Sequence, residues 1–400
     1  MTAGSSAGRR VAITGLGVVA PAGLDAQSFW KGLLGAGATS GQSIQIDEWD
    51  PTPYFENPKQ ARRADRVEQF SLAAAAEAFD QAGGTDAIGV APARFGTIFA
   101  TGVGGLHTLE EQIQVRLEKG ERRVSPFLVP MMMTNAAGAA ISMRYGLQGP
   151  NETITTACAA GSHAINYAAR LIKWGIVDAV ATGGSESAGT ITGLAGFGNM
   201  TALSTTGVSQ PFASGRDGFV MGEGSSVLIL EEWAHAEQRG AHIIGELLGG
   251  GSTADAHHIT APSPGGVGAI ACMRQALAES GLEPSDIKQV NAHGTSTPLN
   301  DAAEADAITE VFSAHAVPVV STKGVTGHAL GAAGALEAAA LLLSMEHGLI
   351  PPTANTTEAD EGMTIDLVTG DPRPWTPGPA ISNNFGFGGH NGSVVIAPAS

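Results

Sequence analysis

One cysteine, Cys158, combines two sequence features that are typical of a nucleophile. The β-branched run at residues 153–156 predicts the end of a strand, and the small apolar residues from Ala159 onward predict a buried helix that ends near Gly175. A thiol at such a strand-to-helix junction faces free N–H groups and the positive end of the helix dipole, which favour a thiolate over a thiol. A core cysteine is the alternative, because most free cysteines are core residues. Taken alone, the residue leaves both interpretations open.

Three glycine-flanked motifs follow the cysteine and carry histidines. Their sequences are NAHGTSTP with His293, STKGVTGHALGAAG with Lys323 and His328, and NNFGFGGHNG near the C-terminus. Histidines that come directly after strands, in loops of glycine and threonine, are typical of ligand-facing loops at the C-terminal edge of a sheet. Any one of them alone is more commonly structural. Together with a cysteine at a helix start, they indicate a nucleophile with acid/base or hydrogen-bonding partners.

The elements that must position these residues alternate between strands and helices. Strands are predicted at residues 10–17, 94–100, 177–184, 227–231, 243–248, 287–291, 317–321, 380–383 and 393–396, and helices at 29–34, 59–82, 106–117, 131–145, 158–175, 233–239, 267–280, 301–312 and 331–347. This alternation predicts parallel sheets covered by helices. No repeat, low-complexity tract or Pro/Ser linker separates the two halves, so we expect them to share one core.

Composition narrows the classes of function. The chain has 400 residues, 43% of them hydrophobic and 15% charged, which is enough for a large core. The net charge of −17 argues against nucleic acid or an anionic membrane as a partner. Two cysteines do not make a disulfide framework, and the apolar run at residues 11–20 is too short for a signal peptide core or a membrane span. We therefore expect a cytoplasmic protein.

Other polar residues have structural interpretations. Cys272 lies on the apolar face of a predicted helix and is expected in the core. His257 and His258 are adjacent, so they point to different faces and do not give metal-ligand spacing. Glu223 and Asp217 are expected to be structural carboxylates. No metal site is predicted.

The four motifs together resemble one family. TTACAAG around Cys158, NAHGTSTPLND around His293, STKGVTGHALGAAG around Lys323 and His328, and NNFGFGGHNG around Phe385 and Phe387 are similar to those of the elongating β-ketoacyl-acyl-carrier-protein synthases of the ketosynthase II type. These are the condensing enzymes of bacterial fatty acid synthesis and their polyketide relatives, within the thiolase superfamily. The motifs occur in order and the resemblance covers essentially the whole chain.

The resemblance implies a fold and an assembly. The expected fold class is α/β, a thiolase-like fold of two similar halves in a five-layered αβαβα arrangement. The first half, residues 1–250, would carry the nucleophile, and the second half, residues 251–400, would carry the two histidines. Members of the family are usually dimers. A homodimer and a heterodimer with a chain-length-factor-like subunit both remain open.

The resemblance also implies roles for the motif residues. Cys158 would accept an acyl group from acyl-carrier protein, and His293 and His328 would assist decarboxylation of the malonyl thioester and hold the developing enolate oxygen. Backbone N–H groups of Cys158 and Phe387 would form the oxyanion hole. Lys323 and its acidic partner Glu337 would support the histidines electrostatically.

Further positions are implied for substrate and partner binding. Thr295 and Thr297 match pantetheine-contacting threonines, and Phe387, supported by Phe385, matches a gate between the acyl and malonyl sides. Further substrate-binding positions are Val103 and Leu128, where the family lines its acyl tunnel, together with Phe197 and Thr260. No cofactor is expected, because the substrates carry phosphopantetheine on acyl-carrier protein. Despite the net negative charge, a local basic patch is expected to dock that acidic partner, formed by Lys59, Arg62, Arg63, Arg122 and Arg123. A basic residue that many relatives carry is replaced by Thr201.

Particular residues separate the chain from other members of the superfamily. Thiolases have a second cysteine in the C-terminal glycine motif, where this chain has Phe385 and Phe387. Initiating and chalcone-type synthases have asparagine at the position of His328, and chain-length factors lack the cysteine. A weakly catalytic or non-catalytic partner subunit of a heterodimeric polyketide synthase is the alternative function. The pathway, fatty acid or type II polyketide or polyene, stays open.

Overall fold

Most of the strands belong to one mixed sheet. The computed structural model describes residues 8–35, 41–312 and 315–399. Within these ranges the strands are β1 (Val11–Val19), β2 (Phe95–Ala100), β3 (Asn151–Ile154), β4 (Ala179–Ser187), β5 (Glu223–Glu232), β6 (Gly245–Ala254), β7 (Gln289–Asn291), β8 (Pro318–Val320), β9 (Leu349–Ile350), β10 (Asp366–Leu367), β11 (Arg373–Pro374), β12 (Ala380–Gly386) and β13 (His390–Ala397). Eleven of them form a sheet in the order β10-β8-β7-β12-β13-β6-β1-β5-β4-β2-β3, and β9 pairs with β11.

The helices alternate with these strands along the chain. They are α1 (Ala26–Leu34), α2 (Pro58–Ala61), α3 (Arg66–Gln81), α4 (Gly84–Ile88), α5 (Leu106–Lys119), α6 (Leu128–Met132), α7 (Ala136–Tyr145), α8 (Ala160–Lys173), α9 (Ile191–Asn199), α10 (Trp233–Gln238), α11 (Val267–Ser280), α12 (Pro298–Phe312), α13 (Lys323–Thr326) and α14 (Ala333–His347). None of these described helices is both long enough and apolar enough to cross a membrane.

Two helices lie between the two halves of the sheet. Helix α8 contacts β2 and β4 on one side and β6 and β13 on the other, and α14 likewise contacts β4 and β5 as well as β12 and β13. Helices α3 and α7 cover the outer face of the first half-sheet, and α11, which packs on α12, covers that of the second. The result is the five-layered αβαβα arrangement that the family resemblance implied.

The two half-sheets repeat one pairing pattern. In the first, β3, β2 and β4 pair in parallel, and β5 and β1 continue antiparallel. In the second, β8, β7 and β12 pair in parallel, and β13 and β6 continue antiparallel. Strands β1 and β6 join the halves through the pairs Ala12↔Glu246 and Ile13↔Gly245. The boundary predicted at residue 250 therefore falls inside β6.

The sequence prediction differs from the structure in four respects. The sheets are mixed and not purely parallel. The sequence did not reveal this because the antiparallel strands β5 and β13 also lie between helix layers and carry the same apolar pattern as parallel strands. The helix predicted at 59–82 is broken, because Asp65 and Glu68 form a capping box that starts α3 at Arg66. The helix predicted at 131–145 is also two helices, α6 and α7, and the glycine-rich helix α9 was not predicted.

The middle layer should carry much of the stability. Ile165 of α8 is 0% exposed in the core between the two half-sheets, whereas Ile191 of α9 is 82% exposed. We expect Ile165→Ala to lower the unfolding free energy by about 2–5 kcal/mol, through lost burial and a cavity. The matched Ile191→Ala should change it by less than about 0.5 kcal/mol. Thermal and urea unfolding of both variants checks this, and equal midpoints would contradict the central position of α8.

Candidate active site

Cys158 lies where β3 gives way to α8. A short 3₁₀ helix, Ala157–Ala159, carries it, and the preceding Ala157 has a φ of +50°, a strained value for alanine. The thiol side chain is only 6% exposed. The end of β12 packs against this turn, because a Cβ placed on Gly386 would lie 2.9 Å from the Cys158 nitrogen. The turn therefore presents one thiol from a closely packed backbone.

Both predicted histidines reach this thiol from the second half of the chain. His293 follows β7 and His328 follows α13, and each is 2% exposed. The Nε2 atom of His328 lies 3.0 Å from the Cys158 Sγ atom. The two imidazole rings meet edge to face with centroids 5.2 Å apart. The structure thus brings together the three residues that the sequence singled out.

A buried ion pair fixes the ring of His293. Lys323 pairs with Glu337, and its Nζ atom donates to the His293 carbonyl at 2.6 Å and contacts Nδ1 at 3.4 Å. Because an ammonium group can only donate, Nδ1 is an acceptor and the proton of the neutral ring sits on Nε2. Asn384 holds the other oxygen of Glu337 at 2.6 Å. His293 is therefore set as a hydrogen-bond donor through Nε2.

Two buried carboxylates that the sequence analysis did not identify shape the loop after His293. Glu304 accepts the backbone N–H groups of His293 and Gly294, both at 2.7 Å. Asp301 accepts those of Thr295 at 2.9 Å and of Ser296, which has a φ of +69°, at 3.1 Å. Both carboxylates follow the TSTP segment within one or two helical turns. This short spacing was the sequence signal that could have identified them as partners of the loop. They hold the loop that carries the two threonines.

The resting thiol is protonated, contrary to the expectation from its place at a helix start. Burial raises the pKa of Cys158 to about 12, and this outweighs the nearby Lys323 ammonium and the backbone N–H groups of Phe387 and Cys158, which lower it. Desolvation therefore dominates over the groups that favour the thiolate. The two N–H groups interact with the sulfur, and backbone N–H groups at such a position are the donors that an oxyanion hole needs.

Both histidines are neutral at physiological pH. Burial first, and then the Lys323 ammonium, lower the pKa of His293 and of His328 well below 6.5. A neutral imidazole accepts a proton at one nitrogen and donates at the other. His328 can therefore take the thiol proton through Nε2, and the site can run acid/base chemistry beside a buried nucleophile.

The same three residues could also be considered as a metal site. One donor atom from each of Cys158, His293 and His328 lies within 4.8 Å of the others, and such a set suits zinc. However, the contact with Lys323 puts the His293 proton on Nε2, the nitrogen that a metal would need, and adds a positive charge beside it. The site is better suited to proton transfer than to holding a metal.

A cavity of about 520 Å³ opens onto the three residues. Its lining includes the predicted substrate-binding and gating positions Phe197, Thr260, Thr295, Thr297, Phe385 and Phe387. Around Cys158 the wall is apolar: Phe219 and Leu330 line it, and they pack with Leu203 and Met221 in one hydrophobic cluster. The cavity therefore combines a polar threonine side with an apolar wall at the thiol.

Two predicted acyl-tunnel residues do not reach this cavity. Val103 lies in the loop after β2 and is 41% exposed, and Leu128 begins α6 and is half-buried. Both belong to the side of the first half-sheet where α5 and α6 pack together. Their role in the tunnel stays a prediction.

The predicted docking cations lie on the surface. All five, Lys59, Arg62, Arg63, Arg122 and Arg123, are exposed. The cations form two basic corners, the first with Lys59, Arg62 and Arg63 and the second with Arg122 and Arg123. The Arg63 guanidinium stacks over the Phe127 ring at 4.2 Å, which places the first corner near the segment that follows the second. Thr201, at the position where relatives carry a basic residue, lines the cavity.

The residues with structural interpretations have structural environments. Cys272 is fully buried in α11, and His257 and His258 are exposed in a loop. Glu223 is buried against the Arg66 guanidinium at 2.5 Å, and the Asp217 carboxylate accepts hydrogen bonds from the Ser204–Thr206 turn. The core position predicted for Cys272 is confirmed, and Glu223 and Asp217 have the hydrogen-bonded partners expected of structural carboxylates, although Asp217 also lines the cavity.

Comparison with protein families gives two matches that together cover most of the chain. The N-terminal domain model of β-ketoacyl synthase matches residues 8–59 and 36–236, and the C-terminal domain model matches residues 244–357.

Individual relatives are similar over nearly the full length. The chain is 40% identical to 3-oxoacyl-[acyl-carrier-protein] synthase 2 of Vibrio harveyi over 97% of this chain and 98% of that protein. It is 42% identical to the protein of the same name from Synechocystis sp., with the same coverage. The corresponding protein of Staphylococcus aureus is 39% identical over 98% of this chain and 99% of its own.

Solved structures show the same similarity. The ishigamide ketosynthase/chain length factor superposes with a TM-score of 0.92 at 30% identity, covering 98% of this chain and 100% of that one. A type II polyketide synthase ketosynthase in complex with its acyl-carrier protein gives 0.89 at 30% identity, and a β-ketoacyl synthase from Burkholderia phymatum gives 0.88 at 31%, both with the same coverage.

Lys323 should control the reactivity of the thiol. Its ammonium lowers the pKa of Cys158, so Lys323→Met should raise that pKa and slow iodoacetamide alkylation of Cys158 by roughly three- to tenfold at constant pH. Peptide mass mapping separates Cys158 from Cys272. Lys173→Met, which removes another partly buried lysine far from the cavity, is the control and should leave the rate unchanged. Equal rates in all three proteins would remove the electrostatic role of Lys323.

Proposed function

The chain belongs to the β-ketoacyl synthase family, and we propose that it extends acyl-carrier-protein thioesters by two carbons through decarboxylative Claisen condensation. It is a condensing acyltransferase of fatty acid or polyketide synthesis. The observation that carries the assignment of residues is the contact of a buried thiol, Cys158, with two neutral histidines at the end of one cavity.

In the first step Cys158 takes the acyl group. The thiol proton moves to Nε2 of His328 as sulfur attacks the thioester carbon, because the neutral ring lies 3.0 Å away and the thiol pKa of about 12 disfavours a free thiolate. Backbone N–H groups of Cys158 and Phe387 stabilise the oxyanion. The carrier thiol leaves with the proton from His328, and the acyl group stays on Cys158.

In the second step a malonyl thioester enters the same cavity. Loss of its carboxyl group as carbon dioxide leaves an enolate, whose oxygen needs donors in a site that excludes water. The Nε2–H group of His293 supplies one donor, because Lys323 with Glu337 keeps the proton on that nitrogen. His328 supplies the second donor in the tautomer that carries its proton on Nε2, since Cys158 is now acylated and no longer shares a proton with this nitrogen. The enolate carbon attacks the acyl carbon and the bond to Cys158 sulfur breaks. The Cys158 thiolate that leaves takes up one proton from solvent as the product departs, which restores the thiol.

The threonine side of the cavity fits the pantetheine arm. The hydroxyls of Thr295 and Thr297 lie 2.9 Å apart on the loop held by Asp301, and Phe385 and Phe387 lie beside the thiol. We assign the threonines to the pantetheine amides and Phe387 to the gate between acyl and malonyl sides. The substrates bring their own phosphopantetheine, so the reaction needs no further cofactor. Two free, buried thiols suit a reducing cytoplasm.

The alternative function is a non-catalytic partner subunit. The complete set of Cys158, His293 and His328 in contact speaks against it, because such a subunit has no use for an aligned nucleophile and base. Some of the similar structures are ketosynthases with a chain length factor. A dimer, either of two copies or with such a partner, is therefore our proposal for the assembly.

The basic patch is the proposed docking surface for acyl-carrier protein. All five cations are exposed, and the contact of Arg63 with Phe127 links their two segments, so on a protein of net charge −17 they offer an acidic partner a surface of favourable charge. Because the Arg63 guanidinium stacks on Phe127, its substitution would also change packing. Arg62 and Arg122 are therefore the better residues with which to test the two basic corners.

Replacing the nucleophile tests the chemical assignment. Cys158→Ala should abolish chain elongation, because it removes the only thiol that faces the cavity, while malonyl decarboxylation survives on the histidine pair. Elongation of acyl-carrier protein and release of carbon dioxide are measured separately. The control is Cys272→Ala, which should keep elongation because that thiol is buried in α11 away from the cavity. Elongation by the Cys158→Ala protein would overturn the assignment.

Charge reversal tests the docking surface. Arg62→Glu with Arg122→Glu should raise KM for acyl-carrier-protein substrates by roughly three- to tenfold at low salt and less at high salt, with little effect on small thioesters. Lys31→Glu with Lys288→Glu is the control, since both lysines are exposed but lie away from the cavity. An equal change with both substrate types would indicate a damaged fold, and an unchanged KM would remove the docking role.

A further inference from the structure

A fully buried carboxylate, Glu186, lies near the end of β4 and belongs to none of the motifs. Its Oε2 atom accepts the backbone N–H groups of Gly102 at 2.6 Å and of Gly331 at 3.0 Å, and its Oε1 accepts the Thr101 hydroxyl at 3.3 Å. The described parts of the chain place no cation in an ion pair with it. A buried carboxylate held only by neutral donors is unusual enough to require an explanation.

The two N–H groups belong to different loops. Gly102 starts the loop after β2, and Gly331 lies in the 3₁₀ turn Leu330–Ala332 that connects His328 to α14. The loops touch directly, because a Cβ on Gly331 would collide with the Gly102 nitrogen. Glu186 therefore links two loops whose close contact a side chain on Gly331 would prevent.

The turn after His328 is strained and needs an anchor at each end. Leu330 has a φ of +39°, which a leucine rarely adopts. On one side, His328 donates its N–H to the Val220 carbonyl at 2.8 Å and accepts that of Gly222 at 3.0 Å. On the other side, the Gly331 N–H is held by Glu186. Without this second anchor the strain at Leu330 can relax by moving the turn.

The carboxylate also acts on the nucleophile through its charge. Burial raises the pKa of Glu186 to about 7, so a substantial fraction is ionised near neutrality. The ionised form in turn raises the pKa of Cys158. Neutralising Glu186 should therefore lower the pKa of Cys158.

We propose that Glu186 is a positioning residue, which fastens the turn after His328 to the loop after β2 and so keeps His328 within hydrogen-bonding distance of Cys158. This inference rests on the proposed function, since it concerns the base of that reaction. Glu186 itself does not touch the cavity.

Three variants test the proposal. Glu186→Ala removes the acceptor of the Gly102 and Gly331 N–H groups, whereas Glu186→Gln keeps an oxygen for these two groups and removes the charge. Glu77→Ala is the matched control, because half-buried Glu77 also accepts two backbone N–H groups, those of Val18 and Ala26 at 2.8 Å, but far from the thiol. Each protein is measured for kcat and KM of elongation, thermal unfolding, and the alkylation rate of Cys158 at constant pH.

We expect Glu186→Ala to lower kcat by about tenfold or more with KM nearly unchanged, because small displacements of a catalytic base have effects of that size. Glu186→Gln should keep most of kcat and should alkylate faster than the unmodified protein, because the charge that opposes the thiolate is gone. Glu77→Ala should unfold at lower temperature but keep both kcat and the alkylation rate.

Several outcomes would overturn the proposal. An unchanged kcat in Glu186→Ala, or an equal loss in Glu77→Ala, would reduce Glu186 to general stability. If Glu186→Ala does not fold, Glu186→Gln decides, and a loss of kcat as large as that expected for Glu186→Ala overturns the proposal, because the amide oxygen still accepts the two N–H groups. The alkylation assay needs no elongation, so failure of the proposed function would appear separately, as an unmodified protein that alkylates normally but does not elongate.

Discussion

The whole site depends on how closely the starts of α8 and α14 approach each other. A Cβ on Gly161 would lie 2.8 Å from the Ala335 nitrogen, and a Cβ on Gly334 would lie 2.6 Å from the Ser162 nitrogen. Only glycine at both positions allows the two backbones to meet. Because Cys158 precedes one helix and His328 precedes the other, this contact sets the distance between nucleophile and base. The layers of sheet outside then hold the helix pair in place.

The buried charges around this contact serve the site and not the stability of the fold. An ion pair such as Lys323 with Glu337 contributes little net stability, because desolvation of both ions offsets their attraction. What the pair does supply is a fixed positive charge beside His293 and the thiol, which lowers the pKa of all three titrating residues. Glu304 and Asp301 serve the site by a different means. Each accepts two backbone N–H groups of the loop after β7 and so holds that loop in place.

Much of this site could be predicted from the sequence, because motif residues with local signatures mark it. Cys158, His293 and His328 lie at the ends of strands or helices. The hydrophobic periodicity and the neighbouring glycines reveal these ends in the sequence. The thiol pKa was not predictable, because it depends on desolvation by side chains distant in sequence. Glu186 was missed because a single polar residue in a strand has no local pattern. Asn384 lies in the NNFGFGGHNG motif, but only the tertiary fold shows that it bonds Glu337. The direction of β5 and β13 was missed since buried strands look alike in either direction.

The repeated strand pattern of the two halves has a consequence for biogenesis. Cys158 and His328 are 170 residues apart, and the second residue belongs to an element synthesised long after the first. Contacts of such separation form late in folding, because chain entropy opposes them until the intervening structure exists. Until the second half is in place, the first half lacks His328 and Lys323, the base and the cation that act on the thiol. The buried, base-paired state of Cys158 is a property of the finished molecule, so the alkylation rate of this thiol reports when the two halves have docked.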